Sequence, residues 1–110
     1  MTKAYIRNPG GDKWMPAIIN GYEDINAAVG GFIEAVPIAS GFTLYCNEEG
    51  KLTNLDPIAY WVVNGEPHDV LVGSLVLIGP PDEEGEDTDV TPEMLDLVGK
   101  HLAFLRKRKI

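Results

Sequence analysis

Basic residues, cysteine and histidine are all scarce in this chain, and each scarcity closes off a class of function. The single cysteine, Cys46, has no partner for an internal disulfide, and the first 15 residues hold no apolar run of signal-peptide type, so the chain reads as cytoplasmic. The only histidines, His68 and His101, lie far apart, and neither has a second ligand four positions on, the spacing a helical zinc site would use. Long apolar runs are missing too. The longest, residues 70–78, is interrupted by Gly73 and Ser74 and falls well short of the roughly 20 residues that span a bilayer, so no membrane partner is implied.

Positive charge is almost confined to the end of the chain. Residues 1–99 carry four basic side chains against 17 acidic ones, a formal −13, while Lys100, Arg106, Lys107, Arg108 and Lys109 fall in the last eleven positions. An acidic body repels a phosphate backbone. Direct nucleic-acid binding is therefore disfavoured except through the basic tail, whose plainer reading is a helix end with cations at the negative pole of the dipole.

Motifs for covalent chemistry are absent as well. No serine stands in a G-x-S-x-G turn, and neither glycine pair belongs to a phosphate-binding loop. Cys46 sits in an apolar alternation and is followed by Asn47, Glu48 and Glu49, whose charges disfavour a thiolate, so it reads as a buried structural residue. The aromatics Trp14, Tyr22, Tyr45, Tyr60 and Trp61 are not interleaved with arginines as a base-stacking platform requires, and read as packing residues. No catalytic residue, metal ligand or cofactor is assigned on these grounds.

What is present describes a small α+β domain. At 110 residues the chain can bury roughly two-thirds of its unfolded surface, and 45% apolar content with 12 Gly and 8 Pro points to many turns. Residues 3–7 alternate as a strand, the 8–12 cluster NPGGD supplies a turn, and KWMPAII returns as an edge strand limited by Pro16. Residues 22–29 form a short helix ended by Gly30 and Gly31. Residues 32–38 and 42–46 make a hairpin, and Asn47-Glu48-Glu49-Gly50 suits a turn with a left-handed glycine that lets residues 51–53 pair back as a third strand.

Further on, Asp56-Pro57 and Asn64-Gly65 bracket residues 57–63 as a start and stop, predicting a second short helix, although Tyr60, Trp61, Val62 and Val63 prefer strands. Residues 69–78 read as one buried strand kinked near Gly73. Residues 82–89 hold six carboxylates and no apolar side chain, the mark of a solvated acidic loop spanning 80–90. Their spacing is not that of a calcium-binding loop. Thr91-Pro92-Glu93 opens a longer C-terminal helix with Met94, Leu97, Val98, His101, Leu102 and Leu105 on one face, reaching the basic end at 106–110. The expected architecture is one domain over 1–110, a mostly antiparallel sheet of about five or six strands with two short helices and this longer one.

The segments VGGFIEAV (29–36), LYCNEEGKL (44–52), DVLVGSLVLIG (69–79) and DEEGE (82–86), in this order, resemble a small family of phage, plasmid and bacterial proteins carrying a domain of unknown function. Where that family has an asparagine three residues before an alanine, Asp56 precedes Ala59. The resemblance covers about residues 1–100 and implies a small intracellular accessory protein of a mobile element or its host, with no assigned reaction.

Three functions are then open. The leading one is a non-enzymatic interaction domain that binds a protein partner or itself, with Glu34, Glu48 and Glu49 and the acids Asp82, Glu83, Glu84, Glu86, Asp87 and Asp89 as candidate contact residues. A second is an acidic DNA mimic that blocks a DNA-binding enzyme, weakened because eight of the 17 acids crowd between positions 82 and 96 rather than spreading at phosphate spacing. The third is a small-ligand binder or enzyme whose carboxylates and histidine meet only in the fold.

Overall fold

In the computed structural model, residues 2–39, 41–80, 82–85 and 88–105 are described. The described residues form eight strands and two short helices. They are β1 (Thr2–Arg7), β2 (Met15–Ile19), α1 (Tyr22–Val29), β3 (Ile33–Ala39), β4 (Phe42–Asn47), β5 (Pro57–Val63), β6 (Glu66–Val72), β7 (Leu75–Ile78), α2 (Pro92–Gly99) and β8 (Leu102–Phe104). The strands make two antiparallel sheets: five strands in the order β2-β1-β7-β4-β3, and three in the order β6-β5-β8.

Period-two alternation decides how the larger sheet is covered. Along β7, Leu75 and Leu77 face one core while Val76 and Ile78 face the other, and all four are buried. A strand apolar on both faces belongs in the middle of a covered sheet, and that is its place. On one face, α1 lays Ile25 and Val29 against Ala4, Ile19, Val76 and Ile78. On the other, Phe42, Leu44 and Cys46 of β4 meet Ile58, Ala59, Leu71 and Leu102 of the smaller sheet, with Val90 and Val98 completing the core.

The hairpins over 2–19 and 33–47 and the helix over 22–29 form as their sequences predict. Gly30 caps α1 in the left-handed conformation, φ 80°, with its N–H on the Asn26 carbonyl at 2.9 Å, a backbone state that costs glycine no Cβ strain.

Several expectations are overturned, beginning with the sheet itself: in place of one sheet of about five or six strands, eight strands among the described residues divide between two. Residues 57–63 are a strand: Asn64 (φ 52°) and Gly65 (φ 80°) form a two-residue hairpin turn with Val63 opposite Glu66, the geometry for which Asn-Gly is best suited. β5 then pairs with β6 on one side and β8 on the other. The long C-terminal helix ends at Gly99, because Leu102, Ala103 and Phe104 pair with Trp61, Tyr60 and Ala59. Apolar residues at 102 and 104 serve a strand as well as a helix, and the open edge of β5 takes them.

Residues 69–78 are two strands in different sheets, divided at Gly73 (φ 77°), where a Cβ would lie 2.8 Å from Leu55. Residues 51–53 are not a strand but part of a compact turn, with Thr53 N–H on the Glu49 carbonyl at 3.0 Å and Leu55 N–H on the Gly50 carbonyl at 2.9 Å. Gly50 closes the expected turn onto the Asn47 carbonyl without a left-handed backbone. Its constraint is space, since a Cβ there would meet Val72 at 2.7 Å.

Candidate functional site between the sheet edges

The two sheets close tightly over Leu44 and Leu77 but part at one side, where β3 and β6 are the outer strands. Between them lies a cleft of about 290 Å³ lined by residues 34–37 of β3, 69–72 of β6, Cys46, Asn47, Glu48, Lys51 and Trp61. Strand alternation explains its chemistry. Glu34, two positions before Val36, shares the inner face of β3 and stands opposite Cys46, so that face turns from apolar at Val36 to charged at Glu34.

Sheet pairing does the same across the gap. Ala59 is opposite Leu71, both buried, and two residues on, Trp61 is opposite Asp69. Lys51, carried in by the compact turn after β4, bonds from Nζ to Asp69 Oδ1 at 2.7 Å. That ammonium is the main reason the Asp69 carboxyl lies below its ordinary range, helped by the Val70 N–H on the same oxygen at 2.8 Å. Trp61 is braced edge-on by the His68 ring, with centroids 4.9 Å apart.

The thiol of Cys46 points toward Glu34, 3.8 Å from its carbonyl oxygen and 3.9 Å from Oε2. Burial, then the adjacent Glu34 charge, push the thiol up to about 11. At neutral pH it is a protonated, weak donor, the opposite of an activated nucleophile. Asp69 is likewise held ionised by Lys51, whereas a general acid or base works with a pKa near the ambient pH.

Of the residues singled out from sequence, Glu34 and Glu48 meet in this cleft. Glu49 is exposed in the adjoining turn, its N–H bonded to Asn47 Oδ1 at 2.8 Å. The acids further along serve the backbone: Asp82 Oδ1 accepts the Glu84 N–H at 2.9 Å, and Asp89 Oδ1 accepts the Lys3 N–H at 2.7 Å, fixing its segment to β1. Glu83 and Glu84 are exposed. Glu86, Asp87 and the basic end at 106–110 lie outside the described residues. Among the described residues no group of three or more His, Cys, Asp or Glu is placed to hold a metal ion, and no helix is long and apolar enough to cross a membrane.

Lys51, Trp61 and Asp69 are cleft residues that sequence reasoning did not select. Lys51 and Asp69 lie 18 positions apart on separate elements, and no periodicity links them. Trp61 stood out only as an aromatic.

Three of the segments that carried the resemblance, 29–36, 44–52 and 69–79, are joined physically beside this cleft. Asn47 bonds the Val29 carbonyl at 3.1 Å and lies 3.0 Å from where a Gly31 Cβ would stand, while Gly50 lies against Val72. Residues 1–103 match the family described as Domain of unknown function (DUF3846). The chain belongs to this family. Comparison with curated proteins and with solved structures finds no match. For this member of the family, then, the geometry of the cleft carries the functional argument.

Proposed function

We propose that this chain is a non-enzymatic interaction domain, cytoplasmic and serving a mobile genetic element or its bacterial host, and that a protein partner docks at the cleft between β3 and β6. The observation that carries this reading is the cleft itself, a concave, charged opening flanked by two sheet edges that are unpaired among the described residues. Concavity with a few convergent polar groups is how binding sites are usually built. An enzymatic reading fits the same residues less well, because the Cys46 thiol is deactivated and Asp69 is committed to Lys51. The mobile-element setting rests on the resemblance of the signature segments.

The test is a comparative capture from bacterial lysate with the wild-type chain and a Glu34→Lys/Asp69→Lys variant as bait. Both positions are exposed or at the cleft rim, so the variant is expected to keep its circular-dichroism spectrum. The expected result is a protein retained by the wild type and lost by the variant. Equal recovery by both baits, or recovery of nothing by either, removes the proposal.

A further inference from the structure

The hydrogen-bond phase of β3 shows what shape of partner the cleft accepts. Phe32 accepts the Glu48 N–H at 2.8 Å and the register runs Ile33 opposite Asn47 through Pro37 opposite Thr43. In an antiparallel ladder, bonded and non-bonded pairs alternate. Residues 34 and 36 therefore spend their backbone groups on β4, while Ile33, Ala35 and Pro37 turn theirs to the open edge. Ile33 and Ala35 offer both an N–H and a carbonyl there, and Pro37 offers a carbonyl only. The face of β3 bearing Ala35 and Pro37 is exposed, while Ile33, at the start of the strand, packs against the core that α1 covers.

Charge then selects the partner. Glu34, Glu48 and Asp69 stand against Lys51 alone among the ionised groups lining the cleft, and Lys51 is already paired. An added strand would place alternate side chains on the inner face beside Glu34, with Asp69 across the gap, and cross-strand neighbours of opposite charge are favourable. A second copy of this chain fits poorly: two molecules of charge −8 repel, and antiparallel pairing of β3 with itself about Ala35 sets Ile33 opposite Pro37, which has no N–H to give.

Accepting the docking site proposed above, we infer that the cleft takes an extended basic segment of a partner protein, which adds as a strand to the free edge of β3 and directs an arginine or lysine between Glu34 and Asp69. Main-chain bonds at Ile33 and Ala35 supply affinity, and the inward cation supplies selectivity, the usual division in strand addition.

The test uses two nonapeptides of alternating valine and threonine, one with arginine and one with glutamate at the central position, titrated into isotope-labelled full-length protein and followed by amide NMR shifts. The arginine peptide is expected to shift the Ile33, Ala35 and Asp69 amides and to bind about tenfold tighter than the glutamate peptide, with the advantage falling as salt rises. Ala35→Pro, at an exposed position opposite Tyr45 in a non-hydrogen-bonded pair whose N–H is not used by β4, is expected to abolish binding while leaving distant amides unmoved; Glu34→Gln is expected to weaken the arginine peptide about threefold. Equal affinity for both peptides at the cleft would overturn the basic anchor and leave the docking site standing. Binding indifferent to Ala35→Pro, or no shift at the cleft with either peptide, would overturn strand addition. A dimer in light scattering that Ala35→Pro dissociates would instead assign the edge to a second copy. The docking site itself is judged separately by the capture experiment.

Discussion

Asn47 donates from Nδ2 to the Val29 carbonyl at 3.1 Å, tying the end of β4 to the last turn of α1. The same amide accepts the Glu49 N–H through Oδ1 at 2.8 Å, so one side chain closes the helix and shapes the turn that brings Lys51 to the cleft. Carbonyls in a last helical turn have no partner within the helix, and a half-buried one left without any is unfavourable.

Asn47→Ala is therefore expected to lower stability by about 1–3 kcal/mol, the range for losing two hydrogen bonds with one group left partly desolvated. Urea unfolding checks it. Asn47→Asp keeps the acceptor for Glu49 but not the donor to Val29, and is expected to fall between the two.

Gly73 is where the chain leaves the smaller sheet for the larger. Its φ of 77° and the 2.8 Å that would separate an added Cβ from Leu55 act together, so Gly73→Ala is expected to destabilise by more than about 1 kcal/mol. Thermal unfolding of Gly73→Ala beside a Leu55→Ala/Gly73→Ala double variant separates the two causes. Relief of contact in the double variant recovers part of the loss only if Leu55 is the obstacle.

Cys46 gives the fold a pH dependence of defined sign. Its thiol rises from 9.0 to about 11 on folding, so the unfolded chain releases this proton first. The contribution is fully present below pH 9 and is lost as pH climbs toward 11. Measured as a difference between wild type and Cys46→Ala, which cancels other titrating groups, stability is expected to fall more steeply for the wild type across that window. Alkylation of the native thiol is expected to be slow at pH 7.5 and to quicken only at high pH; rapid native labelling at neutral pH would contradict the burial of Cys46.

The Lys51–Asp69 pair positions groups more than it stabilises the fold. Its side chains are 56% and 48% exposed, and pairs of that kind contribute about 0–1 kcal/mol. Lys51→Ala is expected to change stability little while moving the Asp69 titration back up toward 3.8, observable by carboxyl NMR. Because the folded carboxyl is the lower one, whatever stability the pair adds is present above pH 3.8 and lost as pH falls through the depressed value.

Local rules were enough for part of this protein. Alternation over 3–7 and 42–46, the turn cluster at 8–12 and the glycine stop at 30 each depend on a few neighbouring residues, so β1, β4, α1 and their connections are legible in the chain. Glu34, Glu48 and Glu49 stood out on other grounds, as residues of the segments that carry the family resemblance.

What the chain alone left undecided was settled by pairing between distant elements. Asn64-Gly65 serves equally as a helix stop or a hairpin turn, and Leu102 with Phe104 suits a helix face or a strand; only the two open edges of β5 choose the strand in both cases, because an unpaired backbone in a half-buried sheet is costly. The compact turn at 49–55 and the break at Gly73 depend on Leu55 and Val72 filling the space above two glycines. The cleft followed from these choices. Its carboxylates and lysine come from β3, β6 and the turn after β4, elements whose meeting is set by the packing of two sheets and by no spacing along the sequence.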